Sequence, residues 1–198
     1  MVSAREALAR LREGNRRFVA SVPSPPGRPS AGQEPFAIIL GCSDARVPAE
    51  LVFGQGFGDL FVIRVAGNIV APSQVGSVEF AAEVFGTRLA VVLGHTQCGA
   101  VAATLDELRQ PQNHQSPNLR AIVGRIRPAV EPLLATTIAQ DPAALAEHAV
   151  RANVQASVQQ LRHGSALLER RIERDGLLIV GAKYHVEEGT VEFFDRAQ

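Results

Sequence analysis

The chain holds two cysteines, and each stands just behind an apolar run. One lies in GCSDARVP, Gly41 to Pro48, and the other in GHTQCGAV, Gly94 to Val101, where His95 precedes the cysteine by three residues. Thiolate is a strong soft metal ligand, and imidazole is the commonest nitrogen ligand. Cys42, His95 and Cys98 therefore offer two sulfurs and one nitrogen. The His-x-x-Cys spacing lets both side chains bend toward one point at a strand-to-helix turn, and Cys42 would arrive from an adjacent strand. Zinc prefers four ligands, and three from the protein with one open position is the pattern of a catalytic site. The expectation is one Zn2+ per chain. Water in the open position would have its pKa lowered from ~15.7 to roughly 7, giving a zinc-bound hydroxide nucleophile at neutral pH.

Asp44 and Arg46 lie two and four residues beyond Cys42, in a turn that should overhang the metal. A guanidinium beside a carboxylate keeps the carboxylate ionised. Such an Asp can accept a hydrogen bond from the metal's water and orient it. Alternatively, Asp44 can swing in as a fourth metal ligand and shut the site. Taken singly, either cysteine reads equally well as a buried small hydrophobe, and the Asp-Arg pair as an ion pair that only holds a turn. Joined to His95, they point to a metal centre. His114, His148, His163 and His185 read as solvated or structural, with His114 a weak proton-shuttle candidate.

These residues need strands to carry them. FAIILG (Phe36–Gly41), LFVIRV (Leu60–Val65), RLAVVLG (Arg88–Gly94) and GLLIVGAKY (Gly176–Tyr184) are short apolar runs of the kind buried on both faces of a sheet. TVEFFD (Thr190–Asp195) is a shorter fifth. Helical patterns fall between them, over Ser77–Phe85, Ala100–Leu108, Pro117 to Arg127, from Pro142 to Gly164, and Leu167–Arg174. Pro128 and Pro132 are expected to interrupt the third of these. The alternation predicts an α/β fold: a central, mostly parallel sheet of four strands plus an edge strand, flanked by helices. In such sheets ligands bind at the carboxyl ends of the strands, which is where both cysteine motifs fall. At the other end of the chain, Ser3–Val19 carries Ala4, Ala7, Leu8, Leu11 and Phe18 on one helical stripe. A proline-rich stretch over residues 21–35 then tethers this N-terminal helix (1–20) to a single zinc-enzyme domain (1–198), leaving it to pack on a partner subunit.

Cys-x-Asp-x-Arg followed about fifty residues later by His-x-x-Cys-Gly resembles the β-class carbonic anhydrases. The likeness runs from Phe36 to Val101, through FGDLFVIRVAGNIV and GSVEFAAEVFGTRLAVVLGHTQCGAV, and more faintly through the N-terminal helix and LIVGAKYHVEEG. The resemblance implies reversible hydration of CO2 to bicarbonate and a proton, with Cys42, His95 and Cys98 on zinc and Asp44 with Arg46 beside its water. It implies that the Gly99 N–H meets bound substrate, that Gln33 hydrogen-bonds it, and that Phe61, Ala66 and Phe80 form an apolar pocket for CO2. It favours the plant-like branch with an open site. Another branch carries a bicarbonate-regulatory trio of Trp, Arg and Tyr. Arg64 and Tyr184 match two members, but Ile39 stands where the Trp would be. A homodimer or tetramer is implied as well. Two rivals stay open: a CS2 or COS hydrolase on the same scaffold, and a non-catalytic zinc-binding regulatory protein.

Composition limits the alternatives. The 198 residues carry 20 basic and 20 acidic side chains, so nothing in the charge argues for nucleic acid or an anionic membrane as partner. The longest apolar runs are far too short to span a bilayer. With only two cysteines and no pattern of an export signal, the expected compartment is the reducing cytoplasm.

Overall fold

Each continuous apolar run forms a strand. The computed structural model describes residues 2–21, 32–111 and 116–194; His114 and most of the proline-rich tether lie outside the described residues. Strands β1 (Ala37–Gly41), β2 (Leu60–Arg64), β3 (Leu89–His95), β4 (Leu178–Tyr184) and β5 (Val191–Phe193) build one sheet in the order β2-β1-β3-β4-β5. The first four are parallel, and β5 pairs antiparallel with β4 at the edge. The helices are α1 (Ala4–Ser21), α2 (Ala49–Val52), α3 (Pro72–Val84), α4 (Gly99–Arg109), α5 (Pro117–Val130), α6 (Pro142–His163) and α7 (Ala166–Asp175).

Side chains alternate across the strands, so each run feeds two cores. Ile38, Leu40, Ala90, Val92 and Ile179 pack against α3, α6 and α7 through Val78, Ala81, Val154, Val158, Leu161 and Leu168. Ala37, Ile39, Val91, Leu93, Val180 and Ala182 face the other way, onto Val47, Ala49 and the half-buried Phe53. A third cluster gathers Cys42, Ile69, Cys98, Val101, Ile126, Val130 and Leu145 where α4, α5 and α6 meet the end of the sheet.

Helix ends follow their side-chain chemistry. The Ser116 hydroxyl accepts from the Leu119 N–H, and the Asp141 carboxylate from those of Ala143 and Ala144. Gly176 closes α7 in the left-handed conformation at φ 70°. Two expectations need correction. Pro128 does not interrupt α5, which continues to Val130. The ring falls in the last turn, between Ile126 and Val130, both fully buried, and that packing outweighs one missing backbone hydrogen bond. Helix α3 also starts at Pro72, five residues before the expected Ser77, with the proline in the first turn, where its missing N–H costs nothing. Helix α1 leaves Leu8 and Leu11 exposed, although Phe18 meets the Phe57 ring edge-on at 5.9 Å. No helix among the described residues is long and apolar enough to cross a membrane.

The chain leaves β1 for β2 on one side and returns to β3 on the other. That reversal opens a crevice at the carboxyl ends of β1 and β3.

Candidate metal centre

Three residues meet in that crevice. Cys42 follows β1 directly, His95 is the last residue of β3, and Cys98 stands just before α4. All three are buried, and their ligand atoms lie within 4.8 Å of one another. His95 is wholly buried. Its Nδ1 is 2.9 Å from the Thr96 carbonyl, so Nδ1–H donates there and the lone pair is left on Nε2. Nε2 is buried without a hydrogen-bond partner. An orphaned buried nitrogen is costly unless something accepts its lone pair. A divalent cation would do so, and two thiolates with one imidazole is a donor set that suits zinc.

The sulfurs are prepared in the same way. The Gly67 N–H donates to Cys42 Sγ at 3.3 Å. A hydrogen bond from Cys98 outweighs burial and draws the Cys42 thiol below the ordinary thiol range. The same bond, with burial, pushes Cys98 above the ordinary thiol range. Metal binding would require both sulfurs as thiolates and so release their protons.

Asp44 and Arg46 form a tight pair at the rim. The Asp44 Oδ1 accepts from the Arg46 backbone N–H at 2.9 Å and from Nε at 3.0 Å, and Oδ2 accepts from a terminal guanidinium nitrogen at 2.8 Å. These bonds hold the Asp44 carboxyl well below the usual carboxylate range. Oδ2 lies 3.9 Å from His95 Nε2. Arg64, at the end of β2, donates to the carbonyls of Cys42 and Asp44 and so braces the loop between them. That bracing role was not evident in the sequence, where Arg64 stood out only as a match to a regulatory trio.

The residues singled out for substrate fall into two groups. Ala66 opens the turn that contains Gly67, and Gly99 opens α4 beside Cys98. Both adjoin the triad. Gln33, Phe61 and Phe80 gather elsewhere. Phe61 and Phe80 rings lie 6.1 Å apart, and each packs on Phe85, at 5.9 and 5.6 Å. Gln33 lines a shallow cavity with Val84 and Phe85. Gln33 precedes β1 and Cys42 follows it, so about the length of that strand, ~17 Å, separates those two residues, while Phe61 lies level with Ile38, four residues short of Cys42. A single chain does not bring Gln33, Phe61 and Phe80 to its own triad.

Comparison with known proteins agrees with this geometry. Residues 37–191 match the profile of a family described as carbonic anhydrase. The chain is 38% identical over 189 residues to carbonic anhydrase 2 of Mycobacterium tuberculosis, covering 90% of this chain and 87% of that one. It resembles the solved structure of the beta-carbonic anhydrase CcaA with a TM-score of 0.83 at 29% identity, over 96% of this chain and 88% of that one. It shares its fold with tetrameric beta-carbonic anhydrases of Sordaria macrospora, at TM-score 0.79 and 22% identity, over 95% of this chain and 94% of that one.

Proposed function

The chain belongs to the β-class carbonic anhydrase family, and on that premise we propose how its residues carry out the reversible hydration of CO2 to bicarbonate and a proton. The observation that carries the reading is the buried convergence of Cys42, His95 and Cys98 around an unpartnered Nε2, beside an ionised Asp44. Cys42, His95 and Cys98 hold one zinc ion. Bound there, zinc supplies a Lewis acid that brings the pKa of water near neutrality. Asp44 accepts a hydrogen bond from the attacking water and turns its lone pair toward the carbon of CO2. Arg46 keeps that carboxylate charged and occupies both of its oxygens, which holds it back from the metal. The site is therefore open at neutral pH, in the manner of the plant-like branch. The Gly99 N–H, in the first turn of α4, meets a substrate oxygen, since first-turn N–H groups lack intrahelical partners. Ala66 lines the apolar side. As bicarbonate forms, the surplus proton passes to buffer.

Gln33, Phe61 and Phe80 complete the pocket from a second copy of the chain. Phe80 and Val84 are 49% and 59% exposed on one face of α3, and Phe36 is 57% exposed nearby in sequence to Gln33. Apolar surface of this kind favours self-association. The exposed stripe of α1 belongs to the same association. The pair of free cysteines fits a reducing cytoplasm.

Stopped-flow CO2 hydration on zinc-loaded protein tests the activity. Mixing two disabled variants tests the sharing. Cys98→Ala lacks a zinc ligand, and Gln33→Ala lacks the remote amide. If sites are shared across a dimer, refolded mixtures contain hybrids with one intact site, and activity recovers to about a quarter of wild type. Activity no higher than the mean of the two parents would mean that each chain works alone.

A further inference from the structure

Gln97 stands inside the His-x-x-Cys spacer with φ at 59°, the left-handed region that glycine fills without strain. A glycine would turn the chain there more easily, so the side chain has another use. Its Oε1 accepts from the Arg46 guanidinium at 3.1 Å, and its backbone carbonyl accepts from the same group at 3.2 Å. Its Nε2 donates to Glu187 Oε1 at 2.7 Å. The amide thus lies between a group that can only donate and one that can only accept, and this settles its orientation.

We propose that Gln97 and Glu187 are positioning residues for the Asp44–Arg46 pair. Arg46 is 45% exposed along its side chain. An ion pair so open to water holds its geometry poorly on its own. Here the guanidinium is gripped from both sides, by Asp44 and by Gln97. Glu187 sits in the turn between β4 and β5, which is itself fastened to the ligand loop. The Thr96 N–H donates to the Tyr184 carbonyl at 2.9 Å, and the Val186 N–H to the Thr96 hydroxyl at 3.0 Å. The bonded series Glu187, Gln97, Arg46, Asp44 therefore ties the carboxylate to the far edge of the sheet. Loss of the Gln97 side chain loosens the Arg46 guanidinium and with it Asp44 Oδ2, while Oδ1 keeps its bond from the Arg46 backbone N–H.

This inference rests on the catalytic reading of Asp44, and its test separates the two. Gln97→Gly keeps the left-handed turn and the backbone carbonyl that faces Arg46, and removes the side-chain link from Arg46 to Glu187. The zinc-loaded variant should unfold at or above the wild-type temperature, lose about tenfold in kcat, and show a mobile Arg46 Nε–H by side-chain 15N relaxation. Glu187→Ala should lose several-fold, and Glu187→Gln, whose amide oxygen still accepts, should recover most of it. Wild-type kcat in Gln97→Gly, or an Arg46 Nε–H as ordered as in wild type, overturns the proposal. Should Gln97→Gly not fold, the Glu187 pair decides by the same two readouts. A wild-type protein that does not hydrate CO2 refutes the proposed function instead, and Arg46 order still decides the clamp.

Discussion

The two ends of the sheet differ in how far one chain completes them. At the carboxyl ends of β1 and β3, the ligand atoms converge, the Arg46 and Arg64 guanidinium groups are occupied, and the loops are stitched together. At the other end, Phe61, Phe80 and Phe85 form a partly exposed aromatic cluster, and Gln33 lines a shallow cavity beside Phe85. The first region is finished by strand pairing within one chain, since its ligands arrive on the adjacent strands β1 and β3. The second places aromatic rings beside the Gln33 amide, away from the cysteines and His95. The difference is that one chain assembles the candidate metal ligands, whereas the proposed sharing of the substrate pocket calls on a second copy.

The strongest way to break this comparison acts on the first region. Cys98→Ala removes a ligand, and hydration should fall at least about a thousandfold with loss of bound zinc, measured by metal analysis and stopped flow. The quaternary state should be unchanged. A variant that keeps one zinc and its rate would refute the ligand assignment. Next comes the second region. Phe80→Arg puts a charge on the apolar face, and self-association should weaken by at least ~30-fold, seen by sedimentation velocity. Zinc content per chain should stay constant while activity follows the associated fraction. Full activity in a monomer would end the idea of a shared site.

The smallest expected effect lies near the carboxyl end of β4, beside the first region. Lys183, on β4 beside the ligand loop, is 2% exposed along its side chain and bonds Glu147 at 2.7 Å and Glu192 at 3.2 Å. Burial disfavours its charge, but the two carboxylates outweigh burial and raise its pKa. A raised lysine contributes stability in full below its unfolded value near 10.4 and loses it as pH climbs through the folded value. Lys183→Met should therefore cost about 1 kcal/mol around neutral pH, with the gap to wild type closing as pH climbs past the ordinary lysine range. Replacing both glutamates by glutamine should cost more, about 2 kcal/mol, because it strands a buried cation. Denaturant titrations across pH read both values. A double-glutamine variant as stable as wild type would show that Lys183 reaches water unaided.

Much of this was legible beforehand. Continuous Val, Ile and Leu runs read as strands buried on both faces, and β1 and β3 are so buried. Pro117 and Pro142 marked helix starts, and α5 and α6 begin at those prolines. Pro128 misled because helix interruption is a local rule, and Ile126 and Val130 are held by a non-local core. Helix α2 has four residues, too few to show a period. Gln97 carried no signal at all, since a glutamine in a spacer looks the same in either hand of backbone.

By itself the sequence determined which atoms can bind a metal, because ligand chemistry belongs to residue type and His-x-x-Cys is a local spacing. It also determined the alternation that makes a parallel sheet. Only the tertiary structure decided that Cys42 lies beside His95, that Glu187 reaches Gln97 from ninety residues away, and that Gln33 and Phe80 stand apart from the metal centre. Those facts depend on strand order and on where the chain reverses across the sheet. Both are set by the packing of distant segments against one another, which no local pattern encodes.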